Sequence, residues 1–84
     1  FNKSIKDNFK LLKNIEEYRI NGLPVLIGIS RKSMIYKTLK TTPQESLNGT
    51  TVLNTVAILS GADILRVHDV KQAMETIKLL KELD

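Results

Sequence analysis

The sequence contains no cysteine, no tryptophan and only two prolines among its 84 residues. Without cysteine there is neither a disulfide framework nor a thiolate metal site, which fits a reducing compartment. Two phenylalanines and two tyrosines offer few rings on which nucleic-acid bases could stack. No apolar run approaches the ~20 residues of a bilayer-spanning helix, and no signal-peptide pattern opens the chain. We therefore expect a cytoplasmic domain with neither a membrane nor a nucleic acid as its partner.

Three helices are predicted from the apolar spacing and from capping residues. In the first, which Ser4 caps, apolar residues recur at spacings of four and three as far as Tyr18. The segment Thr42-Pro43-Gln44-Glu45 is typical of a helix start, because it supplies a cap, a proline at the first position and a capping-box glutamate. Gly61 ends this helix of roughly 18 residues. Asp69 caps the last helix, whose buried face we expect to hold Val70, Ala73, Met74, Ile77 and Leu80.

Two short segments, residues 25–29 and 64–68, predict strands, and the first, an apolar run with no polar alternation, is expected to be covered on both faces. The helix between them makes a βαβ unit, so the strands should be parallel and the crossover right-handed. The order is α-β-α-β-α, with a short helical turn that Ser33 caps after the first strand. Because two strands alone leave unpaired edges, we expect residues 1–84 to be the C-terminal piece of a larger α/β sheet or barrel, with no internal domain boundary.

Basic and hydroxyl residues follow each strand, at the end where parallel α/β folds bind ligands. Ser30-Arg31-Lys32-Ser33 follows the first run, and Arg66-Val67-His68-Asp69 closes the second. Because side chains alternate across a strand, Arg66 and His68 share one face. Arg66 on an inward face would be a costly buried cation unless an anion or a polar ligand lies beside it. A guanidinium and an imidazole at this spacing can bind two parts of one phosphate ester.

The first strand ends in small residues, Gly28 and Ser30, which leave room for a ligand beside Lys32. The Lys32 ammonium can donate to a ligand carbonyl or ring nitrogen. Ser30 and Ser33 can donate to a carboxylate, and Ser33 lies at a helix start, where anions bind readily. A structural interpretation stays open at this point, because Arg66 could pair with a carboxylate elsewhere and the basic pair after the strand could simply be solvated.

These two segments resemble those of the dihydropteroate synthases. Gly28-Ile29-Ser30-Arg31-Lys32-Ser33 is similar to the family's G-x-S-R-K-S segment, and Arg66-Val67-His68-Asp69-Val70 to its R-V-H-D-V signature. Glu45-Ser46-Leu47-Asn48-Gly49-Thr50 resembles its following helix start. Phe1-Asn2-Lys3 resembles the end of a G-F-G-K loop, with Asn2 where glycine is usual. The resemblance spans the chain and implies a (β/α)8 TIM barrel, of which this is about the last quarter.

The resemblance also implies a reaction and its participants. The family condenses 6-hydroxymethyl-7,8-dihydropterin diphosphate with p-aminobenzoate in folate synthesis, and pyrophosphate is released. Magnesium is the implied cofactor, with its protein ligand upstream of this segment, and a homodimer is the implied assembly. The complete protein would be a transferase and a sulfonamide target, whereas the isolated segment is expected to be inactive.

Site residues carry over from the resemblance one by one. Lys32 hydrogen-bonds the pterin, Arg66 stacks against the pterin ring, and Arg66 and His68 help to bind the diphosphate. These three are also the residues that we expect to be catalytic. The residues expected near p-aminobenzoate, and hence near sulfonamide inhibitors, are Ser30, Arg31, Ser33 and Phe1.

Two other functions remain open from the sequence. The chain could belong to a non-catalytic relative that binds an anion or a pterin, because the family's acidic pterin-binding residues lie upstream of this segment. A net charge of +4 also suits a weak nucleic-acid surface, which would bind with a steep salt dependence and little preference for pterin. A zinc cluster is not expected, since the chain has one histidine and no cysteine.

Overall fold

The computed structural model describes residues 4–84, which form four α-helices and one two-stranded parallel sheet. Phe1, which the sequence places near p-aminobenzoate as an expectation, lies outside the described residues. No helix in the described range is both long enough and apolar enough to cross a membrane. In chain order the elements are α1 (Ile5–Lys13), β1 (Leu26–Ile27), α2 (Ser33–Tyr36), α3 (Leu47–Leu59), β2 (Ile64–Leu65) and α4 (Val70–Lys81).

The sheet pairs Leu26 with Ile64 and Ile27 with Leu65, and the two strands run parallel. The predicted parallel pairing is therefore confirmed, although each strand is two residues long rather than five. The first strand is not covered on both faces as the sequence predicted, and the second is open on the same side. Ile27 is buried, whereas Leu26 is 53% exposed and Ile64 is 47% exposed. Helices of the described chain pack on one face of the sheet only, and the opposite face is open.

The first helix is shorter than its apolar spacing predicts. Ser4 caps α1 as expected, because its hydroxyl accepts a hydrogen bond from the Asp7 N–H at 3.1 Å. The helix ends at Lys13, where the Asn14 side-chain amide donates to the Lys10 carbonyl at 2.9 Å. A 3-10 helix follows at Ile15–Tyr18, with Ile15 buried but Tyr18 57% exposed. The predicted apolar face therefore stops one turn early.

The helix between the strands begins later than predicted. The Thr42 hydroxyl does accept from the Glu45 N–H at 3.3 Å, but this contact caps a 3-10 helix at Pro43–Glu45. The buried Ser46 hydroxyl then donates to the Pro43 carbonyl at 2.6 Å, and the α-helix starts only at Leu47. Serine hydroxyls compete with helical hydrogen bonds in this way. The end of α3 agrees with the sequence, because Gly61 follows it with a φ of 114°.

The core lies between the covered face of the sheet and the helices. Its buried members are Leu12, Ile15, Ile27, Ile29, Met34, Ile35 and Ala57. The predicted buried face of the last helix is confirmed only in part: α4 buries Ala73 as predicted, and Thr76 as well, whereas Val70 is 61% and Met74 is 49% exposed. The element that α4 mainly contacts is α3. It therefore buries a narrow stripe of small residues rather than a broad apolar face.

Candidate functional site

A cavity of about 260 Å³ opens at the carboxyl ends of the two strands. It lies on the side-chain face that the helices leave open. Its lining residues are Gly28, Ser30, Lys32, Arg66, Val67 and His68. The fold thus brings the two basic segments together around one space. No carboxylate is among the described residues that line it, whereas Lys32 and Arg66 are cations and Ser30 and His68 can donate hydrogen bonds.

The Arg66 guanidinium lies directly against the backbone of Gly28. The Arg66 N–H donates to the Ile27 carbonyl at 2.9 Å, which continues the strand register beyond β2 and places Gly28 beside Arg66. A Cβ atom at Gly28 would lie 2.6 Å from Arg66 Nη2 and 2.8 Å from Nε. Arg66 itself is exposed rather than buried, because no described element covers this face. The space beside Gly28, which the sequence suggested was for a ligand, is occupied by the guanidinium.

His68 is held by the Ser30 hydroxyl. The backbone N–H of His68 donates to Ser30 Oγ at 3.3 Å, and the ring atom Nδ1 lies 3.0 Å from the same oxygen. The next backbone acceptor along the strand would be the Ile29 carbonyl, but this group accepts from the Lys32 N–H at 3.0 Å. The chain turns sharply here, with Arg31 at a φ of 55°. The Ser30 side chain therefore replaces a backbone acceptor that the turn has already used.

Arg31 does not line the cavity. Its Nη2 and Nε bind the two carboxylate oxygens of Asp69 at 2.8 and 3.1 Å, and its Nη1 donates to the carbonyls of Pro43 and Gln44. The hydrogen bond from Arg31 holds the pKa of Asp69 below its ordinary value, and the same bond raises the pKa of Arg31. Asp69 stands at the N-cap position of α4, as predicted, but its carboxylate makes no capping bond because it is bound to Arg31. This pair fastens the loop after β1 to the start of α4.

Lys32 and Arg66 carry charges that no acidic side chain nearby neutralises. Three salt bridges form within residues 4–84, and none of them involves either residue. Lys32 is exposed and takes the N-cap position of α2. The prediction that Ser33 caps this helix is wrong, because the extended backbone lies at Lys32 and Ser33 is the first helical residue. Ser33 does not line the cavity that contains Arg66.

The opposite ends of the strands are tied by a different ion pair. The Asp63 carboxylate accepts from the Val25 N–H at 2.8 Å and from Arg19 Nη1 at 2.7 Å. Arg19 also donates to the Gly61 carbonyl. The hydrogen bond from Val25, followed by that from Arg19, lowers the pKa of Asp63. Asp63 thus joins the amino ends of both strands and leaves their carboxyl ends for the cavity.

The lining chemistry favours an anion with several oxygens. Guanidinium and ammonium groups form charge-assisted hydrogen bonds with phosphate oxygens, and imidazole adds a further donor. The side chains of residues 4–84 do not form a metal site, because they contain no group of three or more histidine, cysteine, aspartate or glutamate residues that could hold an ion. The residues that would be expected to bind a diphosphate are therefore the cationic ones.

Known proteins are similar to this chain both in sequence and in backbone structure. A dihydropteroate synthase of Escherichia coli (strain K12) is 40% identical over 81 residues, which are 96% of this chain and 29% of the relative. The crystal structure of 7,8-dihydropteroate synthase from Vibrio fischeri superimposes with a TM-score of 0.92 at 40% identity, covering 99% of this chain and 31% of that one. A dihydropteroate synthase from Coxiella burnetii in complex with pteroic acid is 43% identical, with a TM-score of 0.87 over 94% of this chain and 29% of its own.

The chain therefore spans less than a third of the length of these relatives. The family model for pterin binding enzymes matches residues 1–68. That match includes both strands and the whole cavity lining, from Gly28 to His68. Since it covers most of the sequence and ends at the last residue of the cavity, the chain belongs to the family of pterin binding enzymes.

Proposed function

We propose that this chain is the C-terminal segment of a dihydropteroate synthase, in a single pterin-binding (β/α)8 barrel domain of which it forms about a quarter. The observation that carries the proposal is the cavity that Lys32, Arg66 and His68 line without a carboxylate. The open sheet face supports the barrel, because Leu26 and Ile64 would become interior residues once further strands closed the sheet. Similarity to dihydropteroate synthases over 96% of the chain supports the reaction.

In the proposed reaction the amine nitrogen of p-aminobenzoate forms a bond to the methylene carbon of the pterin substrate. The bond from that carbon to the diphosphate oxygen breaks, its electron pair leaves with pyrophosphate, and the amine loses a proton. Negative charge thus grows on the departing oxygen. In this proposal Arg66 and His68 stabilise this charge, since fixed hydrogen-bond donors and cations aimed at developing charge favour the transition state over the ground state.

The three cavity residues take different parts in this proposal. Lys32 hydrogen-bonds the pterin, while the planar Arg66 guanidinium both stacks on the pterin ring and binds the diphosphate. His68 donates to the diphosphate. Ser33, with Ser30, Arg31 and Phe1, is proposed to border p-aminobenzoate and sulfonamides. Because the Arg31 side chain is bound to Asp69, its contribution would come from the backbone turn that it holds.

Magnesium, the homodimer and the cytoplasmic location belong to the same proposal. Any magnesium ligand would lie upstream, since the described residues offer no cluster of metal-binding side chains. A homodimer is consistent with the large apolar side chains that α3, α4 and the residues after them leave exposed. Leu59 is 67%, Leu79 is 71% and Leu83 is 75% exposed.

The proposal is tested on the complete protein with pterin diphosphate, p-aminobenzoate and magnesium. The expected products are dihydropteroate and pyrophosphate in equal amounts. Arg66→Ala should abolish most of this turnover, whereas Lys37→Ala, which removes an exposed charge beyond α2, should leave it intact. Pyrophosphate binding without dihydropteroate formation by the wild-type protein would identify a non-catalytic anion-binding relative instead. Salt-sensitive binding of nucleic acid without a preference for pterin would contradict both.

A further inference from the structure

Ser30 makes two contacts with one residue, and neither is explained by a role in binding p-aminobenzoate. Its Oγ atom accepts a hydrogen bond from the backbone N–H of His68 at 3.3 Å and lies 3.0 Å from the ring atom Nδ1 of His68. Ser30 is only 7% exposed, so most of its surface is already covered in the described chain. Its hydroxyl also belongs to the same strand face as Gly28, which lies against Arg66. Small residues of one strand thus support the two large polar side chains of the other.

We infer that Ser30 is a positioning residue, which fixes the direction of the His68 ring so that Nε2 can donate a hydrogen bond to an anion in the cavity. The inference rests on the proposed function and extends it to the support of His68. With an anion at Nε2, the neutral ring holds its proton on Nε2, and Ser30 Oγ, which accepts the His68 backbone N–H, donates its own proton to Nδ1. When the ring is charged, both nitrogens carry protons, and Nδ1–H donates to the same oxygen. Nε2 is a donor in either state.

The backbone explains why a side chain is needed at this point. The Ile29 carbonyl, which would continue the parallel ladder, is taken by the Lys32 N–H. Without the Ser30 hydroxyl, the His68 N–H would lose its acceptor, and the ring would lose the contact that fixes its direction. The effect on a ligand would pass entirely through His68. This prediction differs from direct binding of p-aminobenzoate, which requires no coupling between Ser30 and His68.

The test is a double-mutant cycle on the complete protein, with Ser30→Ala, His68→Ala and the double variant. Inorganic pyrophosphate is the probe in calorimetry, and the KM for p-aminobenzoate is measured in the synthase assay. We expect Ser30→Ala to weaken pyrophosphate binding about threefold to tenfold, as for one neutral hydrogen bond. In the His68→Ala background the same change should have less than about a twofold effect. Ser60→Ala, which removes a hydroxyl after α3 at the other end of the sheet, serves as the control.

A nitrogen-15 spectrum of histidine-labelled protein provides a second readout, with His68→Gln identifying the His68 signals. Ser30→Ala should shift the Nδ1 signal and increase the population protonated at Nδ1; an unchanged His68 spectrum would overturn the inference. Equal losses of pyrophosphate affinity in the wild-type and His68→Ala backgrounds would also overturn it, as would a raised KM for p-aminobenzoate with unaltered pyrophosphate binding. If the wild-type protein forms no dihydropteroate, the proposed function fails, while the spectrum still reports whether Ser30 controls His68.

Discussion

Replacing Gly28 by alanine puts a methyl group into the space of the Arg66 guanidinium. The added Cβ would lie 2.6 Å from Nη2, 2.8 Å from Nε and 2.9 Å from Cζ, where ordinary contact begins at 3.4 Å. The guanidinium must therefore retreat by about 0.8 Å, the difference between 3.4 and 2.6 Å. Because the obstructing atoms are the tip of a flexible side chain, the side chain should move and the backbone should stay.

A misplacement of about 1 Å in a group that positions a substrate can reduce the rate up to ~100-fold. This upper value corresponds to about 2.7 kcal/mol of transition-state stabilisation. We expect Gly28→Ala in the complete protein to lower kcat/KM for the pterin diphosphate by about tenfold to ~100-fold. The free energy of unfolding, measured with urea, should change by less than about 1 kcal/mol, because no core side chain is displaced.

Gly49→Ala is the matched control for this experiment. A Cβ there would lie 2.5 Å from Ile35 Cγ2 and 3.0 Å from Leu39 Cδ1, in apolar packing outside the cavity. This variant should lose stability and keep its kcat/KM, the reverse of Gly28→Ala. The reasoning is refuted if Gly28→Ala retains wild-type kinetics. It is equally refuted if Gly28→Ala reduces pterin affinity by the same factor in the wild-type and the Arg66→Ala backgrounds, because the second has no guanidinium left to displace.

Four further outcomes are expected. Lys32→Ala in the complete protein should lower kcat/KM for the pterin diphosphate at least tenfold, about 1.4 kcal/mol; unchanged kinetics would remove Lys32 from the site. Arg66→Lys should be nearly as damaging as Arg66→Ala, because lysine lacks the planar fork, and retained activity would show that charge alone suffices. Asp69→Asn should destabilise the protein at neutral pH and not in strong acid. The hydrogen bond from Arg31 is the chief cause that lowers the folded-state pKa of Asp69 below its ordinary value of 3.8. The ionised carboxylate therefore stabilises the fold fully at pH values above 3.8, and this stabilisation is lost as the pH falls below that value. A pH-independent difference in urea unfolding between Asp69→Asn and the wild type would contradict this. The isolated 84 residues should show no synthase turnover, since they supply only part of the proposed site.

Local signals in the sequence predicted much of the fold. The cap at Ser4, the helix end at Gly61 and the parallel pairing all follow from residue types and spacing. The helix start at Thr42 shows the limit of such signals. Its capping bond to Glu45 forms, yet the hydroxyl of Ser46 ends the turn before an α-helix can continue. A local pattern fixes one hydrogen bond, whereas the helix boundary depends on which competing bond comes next.

The contacts that support the site were beyond the reach of local patterns. Arg31 and Asp69 are 38 positions apart, as are Ser30 and His68. Asp69 has the sequence features of a helix cap, and only the folded chain shows its carboxylate bound to a guanidinium. Alternation along the strand did place Arg66 and His68 on one face. It could not show which residues of the neighbouring strand lie beside them, because the sequence does not state the register.

Register is what couples the two basic segments. The hydrogen bond from the Arg66 N–H to the Ile27 carbonyl places Arg66 beside Gly28, and two residues on, His68 meets Ser30. A slip of one residue would turn Arg66 toward the helices and leave no small residue for it to lie against. The Asp63 carboxylate opposes such a slip from the other end of the sheet, since it binds the N–H of Val25. Each segment therefore acts at the cavity only in the alignment that the other strand imposes.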